Sequence, residues 1–205
     1  MNPGVLCVLF AILWPCPDSS VQAVYINPYK ANLKTYLEKI WEKADSGLIN
    51  TVIIDFKSDY GFLAYPSEIK TAKKLGAVKR YLDVDYIVSE AAEHGVKVTA
   101  RIVCFRDDYL SKHPGCGIRD DSGNVWEDSK GISWTNPYNK EVREYLCEVA
   151  EEIVGLGIKS LAFDYIRFPT DGDLGRIALT GITGPRSEPI VSFLQEVEEN
   201  LGEGV

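Results

Sequence analysis

Thr51-Val52-Ile53-Ile54-Asp55-Phe56 is an almost unbroken apolar run, rich in β-branched residues, with a carboxylate next to its end, and a run of that kind reads as a strand buried on both faces of a parallel sheet. The pattern returns at Val96 to Phe105, and again at Lys159-Ser160-Leu161-Ala162-Phe163-Asp164-Tyr165-Ile166. A shorter run, Ala23 to Ile26, precedes the first of them. Amphipathic stretches fill the spaces between. Leu33, Tyr36, Leu37, Ile40, Trp41 and Ala44 share one helical face and stop at Gly47; a second helix runs from about Leu82 to Glu93. A third is expected to begin at Pro137 with Asn136 as its cap, and a last one spans about Glu188 to Leu201. Strands alternating with helical crossovers imply an α/β chain of the (β/α)8 TIM-barrel type. A closed eight-stranded barrel takes about 250 residues, so this sequence holds only about the first four β/α units, and open outer strands favour self-association.

With 205 residues, 45% of them hydrophobic, the chain can bury one core, and a net charge of −8 argues against nucleic acid as a partner. The apolar run Val5 to Trp14 is too short to span a bilayer. Followed by Pro15, Pro17 and Val21-Gln22-Ala23, it reads as a signal peptide over residues 1–23, the alternative being an N-terminal anchor. Residues 24–205 then form a secreted or extracytoplasmic domain. Cleavage leaves Cys104, Cys116 and Cys147, enough for one disulfide at most, and with His94 and His113 the only histidines no metal or cofactor site is expected.

Asp55 and Asp164 each close a strand run, which directs both carboxylates to the C-terminal end of the sheet, where barrel enzymes keep their active sites. Arg101 interrupts the strand between them, and a guanidinium in such a run needs a carboxylate partner. Asp164 is the first choice for a catalytic group, with Asp55 and Glu127 as candidate second carboxylates. The long stretch Arg106 to Trp134 is expected above the mouth. Lys57, Asp59, Arg101, Trp126, Trp134, Asn136, Tyr165, Arg167 and Asp171 form a candidate substrate-binding set, because aromatic faces beside amides and charges suit sugar rings. Each residue also has a plainer reading: a tryptophan packed as a lid, or a loop carboxylate such as Glu127 or Asp128 lying in solvent.

Phe163-Asp164-Tyr165-Ile166-Arg167-Phe168-Pro169-Thr170-Asp171-Gly172-Asp173-Leu174 closely resembles a motif of the uncharacterised TIM-barrel family described as "putative glycosyl hydrolase domain". The likeness extends to Val52–Gly61, Ala100–Asp107 and Asp128–Val142, and so covers most of residues 24 to 200. The resemblance implies a glycoside-hydrolase-like barrel with Asp164 as nucleophile or transition-state stabiliser, acting on an extracellular or cell-wall polysaccharide. It also implies further strands beyond residue 205, where an acid/base carboxylate would lie. The competing expectations are a non-catalytic carbohydrate-binding barrel and a truncated gene product.

Overall fold

The computed structural model of the chain describes residues 20–202, so the expected signal peptide falls almost wholly outside the described residues. Four strands, β1 (Ala23–Ile26), β2 (Thr51–Lys57), β3 (Lys97–Val103) and β5 (Ser160–Asp164), lie side by side in that order, all parallel. The crossovers carry α1 (Pro28–Ala31) and α2 (Lys34–Asp45), then α3 (Lys70–Lys74) and α4 (Val84–Glu93), then α5 (Lys140–Gly155); α6 (Ser187–Leu201) follows β5.

The last helix of each crossover ends in the same way. Beyond α2, α4 and α5, Gly47, Gly95 and Gly157 adopt φ values of 76°, 64° and 92°. The next amide reaches back to the last turn, as in Leu48 N–H to Lys43 O at 3.0 Å and Val96 N–H to Ala91 O at 2.7 Å. This glycine-closed C-terminus satisfies orphan carbonyls and turns the chain back toward the sheet. Each helix therefore delivers its chain to the N-terminal end of the next strand.

Alternation along the strands gives the sheet two unlike faces. Ile26, Val52, Ile54, Ala100, Ile102 and Phe163 pack on the helices, against Leu37, Ile40 and Trp41 of α2, Ile87 and Ala91 of α4, and Leu146, Val149 and Ile153 of α5. From α6, Phe193 sets its ring edge-on to both Phe105 and Phe163. The other face carries Tyr25, Ile53, Asp55, Thr99, Arg101, Ser160, Ala162 and Asp164, a row far more polar than the first and for the most part only half-buried.

The expected helix start at Pro137 needs correction. Asn139 is the cap, its side chain accepting the Glu141 amide at 2.8 Å. Asn136 instead sits buried three residues earlier, in a turn where its Oδ1 accepts the Tyr138 amide. The stretch between β3 and α5 is ordered by a 3-10 turn at Leu110–Lys112, by β4 (Arg119–Asp120) and by bridges such as Arg106 with Trp134. β4 pairs antiparallel with β6 (Ile177–Ala178), which ties this loop to the one after β5. Cys104, Cys116 and Cys147 are all buried free thiols. Among the described residues no helix is long and apolar enough to cross a membrane.

Candidate functional site

Register puts Asp55 beside Arg101, and Arg101 beside Ala162 with Asp164 two residues further along β5. These side chains rise from the open face of the sheet, close to the C-terminal ends of its strands. The pairing of β2 with β3 shifts between Asp55 and Lys57, and a bulge of this kind re-aims the chain where it leaves the sheet.

One guanidinium gathers three carboxylates. Arg101 Nη1 donates to Asp55 Oδ1 at 2.8 Å, Nη2 to Asp59 Oδ1 at 3.0 Å, and Nε to Asp164 Oδ2 at 2.9 Å. Nη2 also lies 2.7 Å from Asp164 Oδ2, so Asp164 is held by two nitrogens. Asp59 and Asp164 thus share one nitrogen between them. Tyr25, which the sequence reading did not single out, donates its hydroxyl to Asp55 Oδ2 at 2.6 Å. The strand alternation alone would have placed Tyr25 on this face.

Burial sets the electrostatics at the base of the cluster. Loss of water pushes the Asp55 carboxyl above its ordinary value, while the bonds from Tyr25 and Arg101 pull it the other way without prevailing. Arg101 is also disfavoured by burial, but its bonds to Asp55, Asp164 and Asp59 outweigh that and hold the guanidinium charged. Burial, and then the carboxylate it touches, raise the Tyr25 phenol too. Asp164 differs from Asp55 in access: its side chain is 49% exposed, against 5% for Asp55.

Asp164 is braced from the chain that follows it. Its Oδ1 accepts the Tyr165 amide at 2.6 Å, and Tyr165 has φ 53°, the one non-glycine residue with positive φ among the described residues. Strained backbone of this kind persists where the surroundings over-determine it. Here the surroundings are the Trp134 ring at 5.6 Å and the guanidinium groups of Arg106 and Arg167, at 5.4 and 5.2 Å from the Tyr165 ring. Arg167 also lies over Trp134 and donates to Thr170 Oγ1.

Several expected substrate contacts are instead parts of the frame. Lys57 is fully buried, paired with Asp107 at 2.7 Å and bonded to the Val103 carbonyl at the same distance. Asp128, which reads as a solvated loop residue, is buried against Arg106 at 2.8 Å and accepts the Trp134 indole N–H at 3.1 Å. Trp134 and Trp126 are both buried, Trp126 donating to the Asp173 carbonyl, so neither offers a ring face to a sugar as a platform would. Asn136 is buried as well, donating to the Thr180 carbonyl. Glu127 is exposed and takes no part in the bonds of the cluster. Asp171 accepts from Ser129 on the outer loops. The sequence candidates brought together at the cluster are Asp55, Asp59, Arg101 and Asp164, with Tyr165 directly beside it.

A hypothetical protein from Ruminiclostridium thermocellum has a similar structure, with TM-score 0.83 and 31% identity over 89% of this chain and 94% of its own. A noncanonic maltogenic alpha-amylase from Thermotoga neapolitana matches with TM-score 0.57 and 18% identity over 88% of this chain. The alpha-galactosidase of Thermus thermophilus, solved in complex with stachyose, matches with TM-score 0.59 and 12% identity over 91%. This chain spans 43% and 39% of those two glycosidase chains, and the likeness to them is one of fold. No curated protein matches at the level of sequence. Residues 23–205 match the model of the family described as "Putative glycosyl hydrolase domain", and the chain belongs to that family.

Proposed function

We propose that this chain is a glycoside hydrolase domain acting on an extracellular or cell-wall polysaccharide, with Asp164 as the reacting carboxylate. The observation that carries this reading is the set of three aspartates held on one guanidinium at the C-terminal edge of a parallel sheet. Such an edge is where (β/α) enzymes place their chemistry. Asp164 is the member that is both fixed, by Arg101 and the Tyr165 amide, and exposed enough to be approached. Its role is to stabilise or bond the anomeric carbon as positive charge develops there.

Asp59 is the second carboxylate that best fits the geometry. It and Asp164 accept from the same Nη2, so their bonded oxygens lie no further apart than those two short contacts end to end. That limit is compatible with a retaining pair, about 5 to 5.5 Å apart, and lies below the wider gap that leaves room for a water molecule in inversion. Asp55 serves from below: with its oxygens engaged by Arg101 and Tyr25 it fixes the guanidinium instead of meeting substrate. In this reading the four strand-helix units are part of an eight-unit barrel, and the open backbone edges of β1 and β5 are completed by further strands or by a second copy. Residues 1–23 act as the signal for export.

Reducing-end release from a panel of α- and β-linked neutral and acidic polysaccharides tests the proposal. The protein is expected to hydrolyse at least one of them, and Asp164→Asn to lower that rate by about 10³-fold or more, the scale on which an essential reacting group acts. Glycan binding with no hydrolysis by either form would support a binding barrel instead.

A further inference from the structure

Beside the carboxylate cluster lies an open hollow of about 430 Å³. Its wall is phenolic: Tyr29 follows β1, Tyr60 follows β2, Tyr81 precedes α4 and Tyr109 lies beyond β3. Tyr29 and Tyr81 stand with ring centroids 5.0 Å apart, tilted by 54°, and the Phe62 ring meets Tyr81 edge-on at 5.7 Å. Tyr29 is 56% exposed and Tyr60 53%. Rings left so open in a loop-lined hollow offer flat apolar faces with hydroxyls at their rims. Burial raises the Tyr29 phenol, and the nearness of Tyr81, Tyr60 and Tyr109 adds to it.

Two lysines set the charge of this hollow. Lys79 holds its ammonium 5.7 Å from the Tyr109 ring centroid, and Lys112 lies on the same rim. Among the described residues neither makes an ion pair, although the chain as a whole carries −8. The one acid in the lining, Asp108, is turned to the frame, its Oδ1 accepting the Ser133 amide at 2.8 Å. The lining thus carries two lysines against one acid, on a protein whose net charge is −8. It also adjoins the cluster, since Tyr60 is next in sequence to Asp59, and the Tyr60 carbonyl accepts the Asp108 amide at 3.0 Å.

We propose that this tyrosine-lined cavity is a subsite for an acidic sugar unit, whose ring stacks on the phenols while its carboxylate is drawn to Lys79 and Lys112. The sugar in that statement rests on the carbohydrate reading above; the demand for negative charge rests on the cavity alone. The unit bound here belongs to a chain whose neighbouring linkage reaches Asp164. Specificity then comes from a charge contact outside the reacting cluster, made by lysines that take no part in bond cleavage.

Titration calorimetry with tetragalacturonate, and with the same oligomer methyl-esterified, isolates the charge on one sugar skeleton. The acid form is expected to bind at least about tenfold more tightly and to weaken as salt rises, since the lysines are solvent-reached. Lys79→Gln with Lys112→Gln is expected to erase that preference while leaving thermal unfolding unchanged, and Tyr81→Ala to weaken both forms together. Equal affinity for the two forms, or a preference that survives the double lysine variant, overturns the proposal. Maltotetraose binding without tetragalacturonate binding overturns the acidic subsite and leaves the carbohydrate reading standing. Lysine-dependent binding of tetragalacturonate without hydrolysis of any polysaccharide supports the subsite and removes the hydrolase reading. Absence of binding to every one of these glycans overturns the acidic subsite, and the hydrolase reading is then decided by the polysaccharide panel alone.

Discussion

Arg101 is the residue on which the site turns, because it sits between three acids and only one of them can be matched by its charge. Asp55 is the least hydrated member, and its raised proton affinity has a direct consequence for stability. The folded state binds that proton more tightly than the unfolded chain does, so Asp55 favours folding most at low pH, and the contribution is lost as pH rises through its folded value. Urea unfolding of the protein and of Asp55→Asn is expected to show a stability difference that moves against the wild type from about pH 4 upward. A difference moving the other way would mean that Tyr25 and Arg101 outweigh burial. The sequence made Asp55, Arg101 and Asp164 legible, because charges inside apolar strand runs are conspicuous. It concealed the buried pairs Lys57 with Asp107 and Arg106 with Asp128. A loop charge looks solvated until its partner, far along the chain, is known.

At the level of elements, the strands and long helices follow directly from the spacing of apolar residues, and the glycine after each crossover helix marks where the chain turns back. The start of α5 did not follow. Asn136-Pro137 and Asn139 both have helix-opening chemistry, and the bonds of Asn136 to Tyr138 and Thr180 decide for the later one. The same helix anchors the loop after β2: Glu152 accepts the Tyr65 hydroxyl at 2.8 Å, the Ser67 hydroxyl at 2.6 Å and the Glu68 amide at 2.6 Å. That loop opens with Ser58, Asp59 and Tyr60, so α5 braces the segment that carries Asp59. Replacing Glu152 by Ala leaves three donors seeking water and is expected to cost about 2 kcal/mol. Faster amide exchange over residues 65–69, with α4 unchanged, would locate the loss in this anchor. Uniform exchange across the chain would place it elsewhere.

For the molecule as a whole, parallel strand order assembles the carboxylate cluster more than any single contact does. Four strands running the same way bring Tyr25, Asp55, Arg101 and Asp164 to one edge from positions as far apart as 25 and 164. The tyrosine-lined cavity was not legible in advance, because its residues come from four separate loops with no shared spacing. Nor was the burial of Trp126 and Trp134, since an indole in a long loop reads alike whether it packs inward or faces a ligand. Chemical rescue distinguishes an Asp164 that bonds the anomeric carbon from one that only holds Arg101 in place. Asp164→Ala, assayed on a polysaccharide that the wild type cleaves, is expected to be inactive until azide is added, and then to form a glycosyl azide. An Asp164→Ala protein that keeps wild-type hydrolysis without azide, or that azide fails to revive while Asp59→Ala is revived, would contradict the account.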